Sequence, residues 1–374
     1  VRSIVVLTLV AAVTSTASAQ SFTRLVSFGD SLSDVGNVNG ATFGISPGSS
    51  YYQGRFSNGN VWSERLSSRL GLGATQTPSR TSGGRNYAYG GVRSGSGNTN
   101  FFGLFNFPNA GAQIDQFLSS NAPAATDLYT LWIGGNDFID GQTDVSIPAN
   151  NVQSHLQRLG QAGAKNVLVA NLPPLGELPR YVGNATNRAA FDALARAYNA
   201  ALDARLVAVR AQYPATTFRL LDTEAFFDDV LAAPAAFGFT NVTQPALSGS
   251  TVVPNPDSYA FFDDIHPTRR AHSLLGDRAF RTATARAGDA NLDTFVNFDD
   301  LLVLASAYNR TTGQRWRNGD FTGDGAVNFD DLLRLASNYN VPPAAGFAFA
   351  QAIPEPTSMA VCVAVVGTLR RRRR

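Results

Sequence analysis

Four short runs, Leu25–Phe28, Leu128–Ile133, Val167–Ala170 and Phe218–Leu221, are apolar almost without interruption. A strand with one face in water alternates apolar and polar side chains, so runs that do not alternate are buried on both faces, as in the middle of a parallel sheet. Within 187–212, Phe191, Leu194, Ala195, Tyr198, Leu202, Leu206 and Val209 recur at helical spacing and predict an amphipathic helix. Strand, helix and strand in this order imply an α/β fold, an open three-layer α/β/α sandwich around a parallel sheet.

The chain of 374 residues is 44% hydrophobic, enough for a substantial core, and only 16% charged, against about 25% in an average soluble protein. When Arg2 and Arg370–Arg374, which lie in segments that look removable, are set aside, 24 basic side chains face 28 acidic ones. No basic patch remains to track phosphates, which excludes a nucleic-acid partner. The single cysteine, Cys362, lies near the C-terminus, so neither a disulfide framework nor a cysteine metal site can form.

Residues 1–19 place Arg2 before an apolar stretch from Ile4 to Val13 and end in small residues, Ala17 and Ala19. This is the pattern of a secretory signal peptide cleaved after Ala19. In the segment 342–374, Pro354-Glu355-Pro356 precedes an apolar stretch, Thr357–Leu369, and an arginine block; the stretch has 13 residues, short of the about 20 that a spanning helix needs.

The chemistry-bearing residues follow the strands. The first apolar run leads directly into Gly29-Asp30-Ser31-Leu32-Ser33-Asp34, so Ser31 leaves the carboxyl end of a buried strand, where open α/β sheets bind ligands; a serine on such a turn is expected to be exposed. A serine needs a base to take its proton, and the chain offers only His155, His266 and His272. His155 and His272 fall within helical runs and read as surface or helix-packing side chains. His266 stands in a loop with the carboxylate of Asp263 three residues upstream, so one loop can carry both the base and the group that fixes its tautomer. A second buried strand ends in Gly134-Gly135-Asn136-Asp137, where the Asn136 amide can donate to an oxyanion. A fourth block, Asn86-Tyr87-Ala88-Tyr89-Gly90-Gly91, places a glycine N–H after an apolar segment.

These blocks, in this order, resemble the GDSL or SGNH hydrolase family over about residues 22–285. The resemblance implies Ser31 as nucleophile and first oxyanion donor, Gly91 (with Gly90 as the alternative) as second donor and Asn136 as third. It makes His266 the base and Asp263 the residue that orients it, while Asp264 is solvated or caps a helix. Phe28–Asn37 and Gly54–Gly59 with Trp62 resemble the branch that holds plant GDSL lipases and bacterial outer-membrane esterases. Acyl transfer to water through an acyl-enzyme is the implied reaction, needing no cofactor. Phe101–Phe107 is a candidate wall for the acyl chain.

A different composition begins at Gly288. Residues 288–309 recur at 319–340, a spacing of 31. With Asp289 as position one, oxygen ligands fall at Asp289, Asn291, Asp293, the Phe295 carbonyl, Asn297 and Asp300; the second copy offers Asp320, Thr322, Asp324, the Ala326 carbonyl, Asn328 and Asp331. This is the spacing of a twelve-residue calcium loop followed by a helix, with Thr322 the weakest ligand. The duplicated loop resembles a type I dockerin, implying a small all-α, Ca2+-stabilised domain over 287–341 after a hydrolase domain over 21–286. A cohesin-like partner is part of that resemblance, although Phe298-Asp299 and Phe329-Asp330 replace the small hydroxyl pairs usual in dockerins. The tail at 342–374 resembles a PEP-CTERM sorting signal, which implies a processing enzyme and a Gram-negative envelope or extracellular destination. The expected function is thus an exported carboxylic ester hydrolase acting on a small-molecule, lipid or acylated-polysaccharide ester. A polysaccharide O-acetyl esterase is the enzymatic alternative, and a non-catalytic envelope adhesion or scaffold protein the other.

Overall fold

The four apolar runs become neighbouring strands. In the computed structural model, which describes residues 21–73 and 76–342, the chain forms β1 (Arg24–Gly29), α1 (Asn37–Ala41), α2 (Trp62–Arg69), a hairpin of β2 (Asn98–Phe101) and β3 (Phe105–Pro108), α3 (Ala110–Ser120) and β4 (Asp127–Trp132). It continues through α4 (Gly135–Ile139), α5 (Ser146–Gln161), β5 (Asn166–Ala170), α6 (Pro179–Val182), α7 (Ala185–Gln212), β6 (Thr217–Leu221) and α8 (Thr223–Ala232). Two parallel segments, Asn241–Pro245 and Tyr259–Phe261, precede α9 (Arg269–Thr284). The expected signal peptide and the sorting motif lie outside the described residues.

The central sheet is parallel in the order β1-β4-β5-β6. Every residue of β4 and β5 is buried, which is why neither alternates. Each crossover steps the same way along the sheet, so right-handed connections put α3, α5 and α7 on one face. The paired helices α2 and α9 cover the other. The outer edge of β1 is not bare: Arg85–Tyr89 runs along it, with Tyr87 N–H donating to Ser27 O at 2.7 Å.

Residues 287–342 form two loops, each leading into a helix, α10 (Phe298–Ala307) and α11 (Phe329–Asn338). Asn297 and Asn328 cap these helices, their side chains accepting from Asp299 N and Asp330 N at 2.7 and 2.8 Å. A small core of Ala290, Val296, Leu304, Ala307, Phe321, Val327 and Leu335 joins the two halves.

This segment is bolted to the larger body by charge. The Arg315 guanidinium reaches Asp203 at 2.8 Å, Asp222 at 3.1 Å and Glu224 at 3.0 Å, all on or beside α7 and α8. From the other side, Arg210 of α7 donates to Gly323 O at 3.0 Å, and Arg219 of β6 lies 4.9 Å from the Trp316 ring. Truncating one partner of a largely buried ion cluster leaves the others uncompensated. We expect Arg315→Ala to cost about 3 kcal/mol, read as a lower urea midpoint for the full chain; an unchanged midpoint would show that the contact adds no stability.

Candidate active site

The site begins with a close fit between two strands. Gly29 closes β1 at φ +150°, and a Cβ there would lie 2.4 Å from the Trp132 carbonyl oxygen of β4, so no larger residue fits. The Gln113 amide of α3 caps the strand end, accepting from Gly29 N and donating to Gly29 O, both at 2.9 Å. The chain therefore turns abruptly and delivers Ser31 above the sheet. Asp34, fully buried, accepts from Gly36, Asn37 and Val38 N–H at 2.7, 2.6 and 3.1 Å, and from Gly90 N–H at 3.0 Å. One carboxylate thus ties the serine loop to the glycine loop.

After the strand Tyr259–Phe261, the Asp263 carboxylate folds its own loop, its Oδ1 accepting from Ile265 N at 2.9 Å and from His266 N at 2.7 Å. Its other oxygen, Oδ2, lies 2.7 Å from His266 Nδ1, and His266 Nε2 lies 2.9 Å from Ser31 Oγ. With the carboxylate accepting the Nδ1 proton, Nε2 is left to accept from the serine hydroxyl. Burial would raise the Asp263 pKa, but His266 and the two backbone N–H groups outweigh it and hold the carboxyl well below the ordinary range.

Ser31 departs from one expectation, being only 7% exposed because the loop carrying His266 closes over it. His155 and His272 are buried helix-packing side chains of α5 and α9, the second of the two roles expected for them. His155 Nε2 lies 2.6 Å from Ser94 O, and His272 Nδ1, accepting from Trp62 N–H at 3.3 Å, belongs to a ring pushed down to about 3 by burial and by His266. Asp264 points away to Arg180, 2.7 Å from its Nε. At the end of β4, Asn136 spends one amide hydrogen on Val92 O at 2.9 Å. Because Gly90 N–H is held by Asp34, Gly91 is the member of the pair whose N–H is not so engaged.

Several contacts beside the site could not be read from the sequence. Tyr51 Oη–H donates to Asp263 Oδ2 at 2.7 Å, and the Phe56 ring centroid is 5.1 Å from that of His266. The β2–β3 hairpin brings the Phe101 ring so close to Gly91 that a Cβ on the glycine would sit 3.2 Å from it. At the hairpin tip, Phe102 and Leu104 are 70% and 79% exposed.

The two acidic loops lie apart from these groups. In the second, carboxylate oxygens of Asp320, Asp324 and Asp331 come within 4.8 Å of one another. Burial, with Asp331 nearby, pushes Asp320 up to about 6; in the first loop burial, Asp300 and Asp293 push Asp289 to about 7. Crowded carboxylates of this kind fit an oxygen-seeking cation. Both loops make the same left-handed turns, but the second uses Gly323 and Gly325 where the first uses Leu292 and Thr294 at φ +61° and +83°. The first loop therefore carries backbone strain that the second avoids.

Beside the serine, Asp30 is 3% exposed, and burial, helped by Asp137, raises its pKa to about 7. A carboxyl whose folded pKa is raised holds its proton longer folded than unfolded, so stability falls as pH rises from about 4 to 7. Asp30→Asn, which keeps the acceptor for Leu32 N–H, is expected to remove that decline. Urea midpoints of the two proteins should agree at pH 4 and separate in favour of the variant by pH 7.5; parallel curves would contradict the assignment.

Residues 25–279 match the family described as GDSL-like Lipase/Acylhydrolase. The chain is 31% identical over 242 residues to a phosphatidylcholine-sterol acyltransferase of Aeromonas hydrophila, covering 63% of this chain and 68% of that protein. It is 27% identical over 316 residues to a GDSL esterase/lipase of Arabidopsis thaliana, covering 67% and 84%. A secreted effector protein of Salmonella typhimurium is 29% identical over 262 residues, which span 67% of this chain and 61% of the effector. A parallel α/β sheet with a serine at its carboxyl edge, and a family match across that whole unit, lead to one assignment: the chain belongs to the GDSL-like lipase/acylhydrolase family and is a serine ester hydrolase.

Proposed function

We propose that the chain hydrolyses lipid-type carboxylic esters through Ser31, His266 and Asp263. The observation that carries this reading is the unbroken line from Ser31 Oγ through the imidazole to Asp263 Oδ2, at 2.9 and 2.7 Å. Ser31 Oγ attacks the ester carbonyl carbon as its proton passes to His266 Nε2, and Asp263 stabilises the imidazolium that results. The oxyanion is received by Ser31 N–H, Gly91 N–H and the remaining amide hydrogen of Asn136. His266 returns the proton to the departing alcohol, leaving an acyl-serine, and water activated by the same imidazole releases the acid. Such a hydrogen-bonded set is hard to reconcile with a non-catalytic scaffold.

The apolar hairpin beside Gly91 supports an acyl chain longer than acetate, as does a relative named for phosphatidylcholine-sterol acyl transfer. Residues 1–19 and a relative named as a secreted effector support export. The Pro354-Glu355-Pro356 tail supports envelope sorting by a processing enzyme. The two acidic loops would hold Ca2+ and stabilise the segment packed on α7 and β6, as in a dockerin.

p-Nitrophenyl esters from acetate upward test the catalytic reading. Ser31→Ala should abolish hydrolysis at every chain length with the fold intact, and Asn136→Ala should lower kcat by about a hundredfold or more with little change in KM. Peak activity on acetate would favour the O-acetyl esterase alternative, while a folded Ser31→Ala variant that remained active would end the reading. For the metal, calcium should raise the thermal midpoint of the full chain and a chelator should lower it, with Trp316 fluorescence changing in step because its indole donates to Asp289 O. Identical melts with calcium and with chelator would remove calcium from the account.

A further inference from the structure

We propose that Tyr51 is a positioning residue for this site, fixing the Asp263 carboxylate against His266 and drawing off part of the charge the imidazole feels. The inference rests on the triad reading above and adds a fourth member to it.

The geometry is specific. Asp263 Oδ2 accepts from two strong donors, His266 Nδ1–H and Tyr51 Oη–H, each at 2.7 Å, while among the described residues Oδ1 accepts from backbone N–H groups of its own loop. Tyr51, 212 residues away in sequence, is therefore the only one of these donors that comes from outside the histidine loop. Its ring is gripped edge-on by Phe262, with centroids 5.3 Å apart at 83°, and by Phe56 at 6.3 Å and 63°. Phe56 also lies against the imidazole, so one aromatic box sets the placement of both donors. Burial and the Asp263 charge push the Tyr51 pKa up, which keeps the phenol a donor throughout the working range.

Two donors on one oxygen compete. Charge that the phenol stabilises is charge that Asp263 does not offer to an imidazolium, so Tyr51 tempers the hold of the carboxylate on the proton that His266 must hand on. The other titratable groups facing this pair are Asp30 behind Ser31, His272 on α9, and Asp264, which is engaged by Arg180 of α6.

The test is the pH dependence of kcat/KM on a short p-nitrophenyl ester for wild type and Tyr51→Phe, with Ser31→Ala alongside. In Tyr51→Phe the unshared carboxylate grips the imidazolium proton harder, so the acidic limb should move up by about half a pH unit. The plateau kcat should fall by about threefold to tenfold with KM little changed. A folded variant whose limb does not move overturns the role, even if its activity is uniformly lower, because a merely structural contact would not shift the limb. Should Tyr51→Phe fail to fold, a fluorotyrosine placed at position 51 keeps the shape with a stronger donor and should move the limb down; no movement overturns the proposal. Activity surviving in Ser31→Ala would instead overturn the triad, and so separates the two failures.

Discussion

The site depends on the register between β1 and β4. Gly29 stands opposite Trp132, so the two central strands end at the same level and their loops leave side by side. Ser31 comes from one strand end and Asn136 from the other. The contact tolerates no side chain at Gly29, since the Trp132 carbonyl occupies the space a Cβ would need. A slip of one residue would turn each strand over and send the serine loop into the wrong layer. Backbone packing between two buried strands thus determines where the chemistry can occur.

Buried carboxylates then hold the irregular backbone that the strands release. Asp34 gathers four N–H groups from two loops, and Asp263 gathers two from its own. Loops buried this deeply would otherwise leave N–H groups without acceptors. In the proposed mechanism each carboxylate would also serve the reacting groups, Asp34 by holding Gly90 beside Gly91, and Asp263 by orienting His266. Structural satisfaction and preorganisation are here the same hydrogen bonds.

Charge plays a different part at the far edge of the sheet. The acidic repeat is not suspended from a tether but lies against α7, α8 and β6, where Arg315, Arg210 and Arg219 meet it or extend from it. The interface includes the backbone of the second loop at Gly323 and, through Trp316, the backbone of the first at Asp289. Each loop is thus joined to the edge strand β6 through one side chain, the second by Arg210, which also donates to Phe218 O, and the first by Trp316, which lies against Arg219.

Much of this was legible in the amino-acid order because it depends on local pattern. Non-alternating apolar runs announce doubly covered strands, a serine at such a strand end announces the functional edge, and Asp263 lies near His266 because three residues of chain hold them in one loop. The spacing of oxygen-bearing side chains in each acidic loop is local in the same way. Contacts between distant segments had no such signal. Tyr51 reaches Asp263 across 212 positions, Phe56 lies on His266, and the Asp34 carboxylate occupies the N–H of Gly90, the alternative to the Gly91 that the sequence favoured. The burial of Ser31 was likewise hidden, because the loop that covers it arrives from the far end of the domain. Short-range order sets which residues can do chemistry; only the packing of remote segments decides how each one is held, since that depends on atoms the local sequence never mentions.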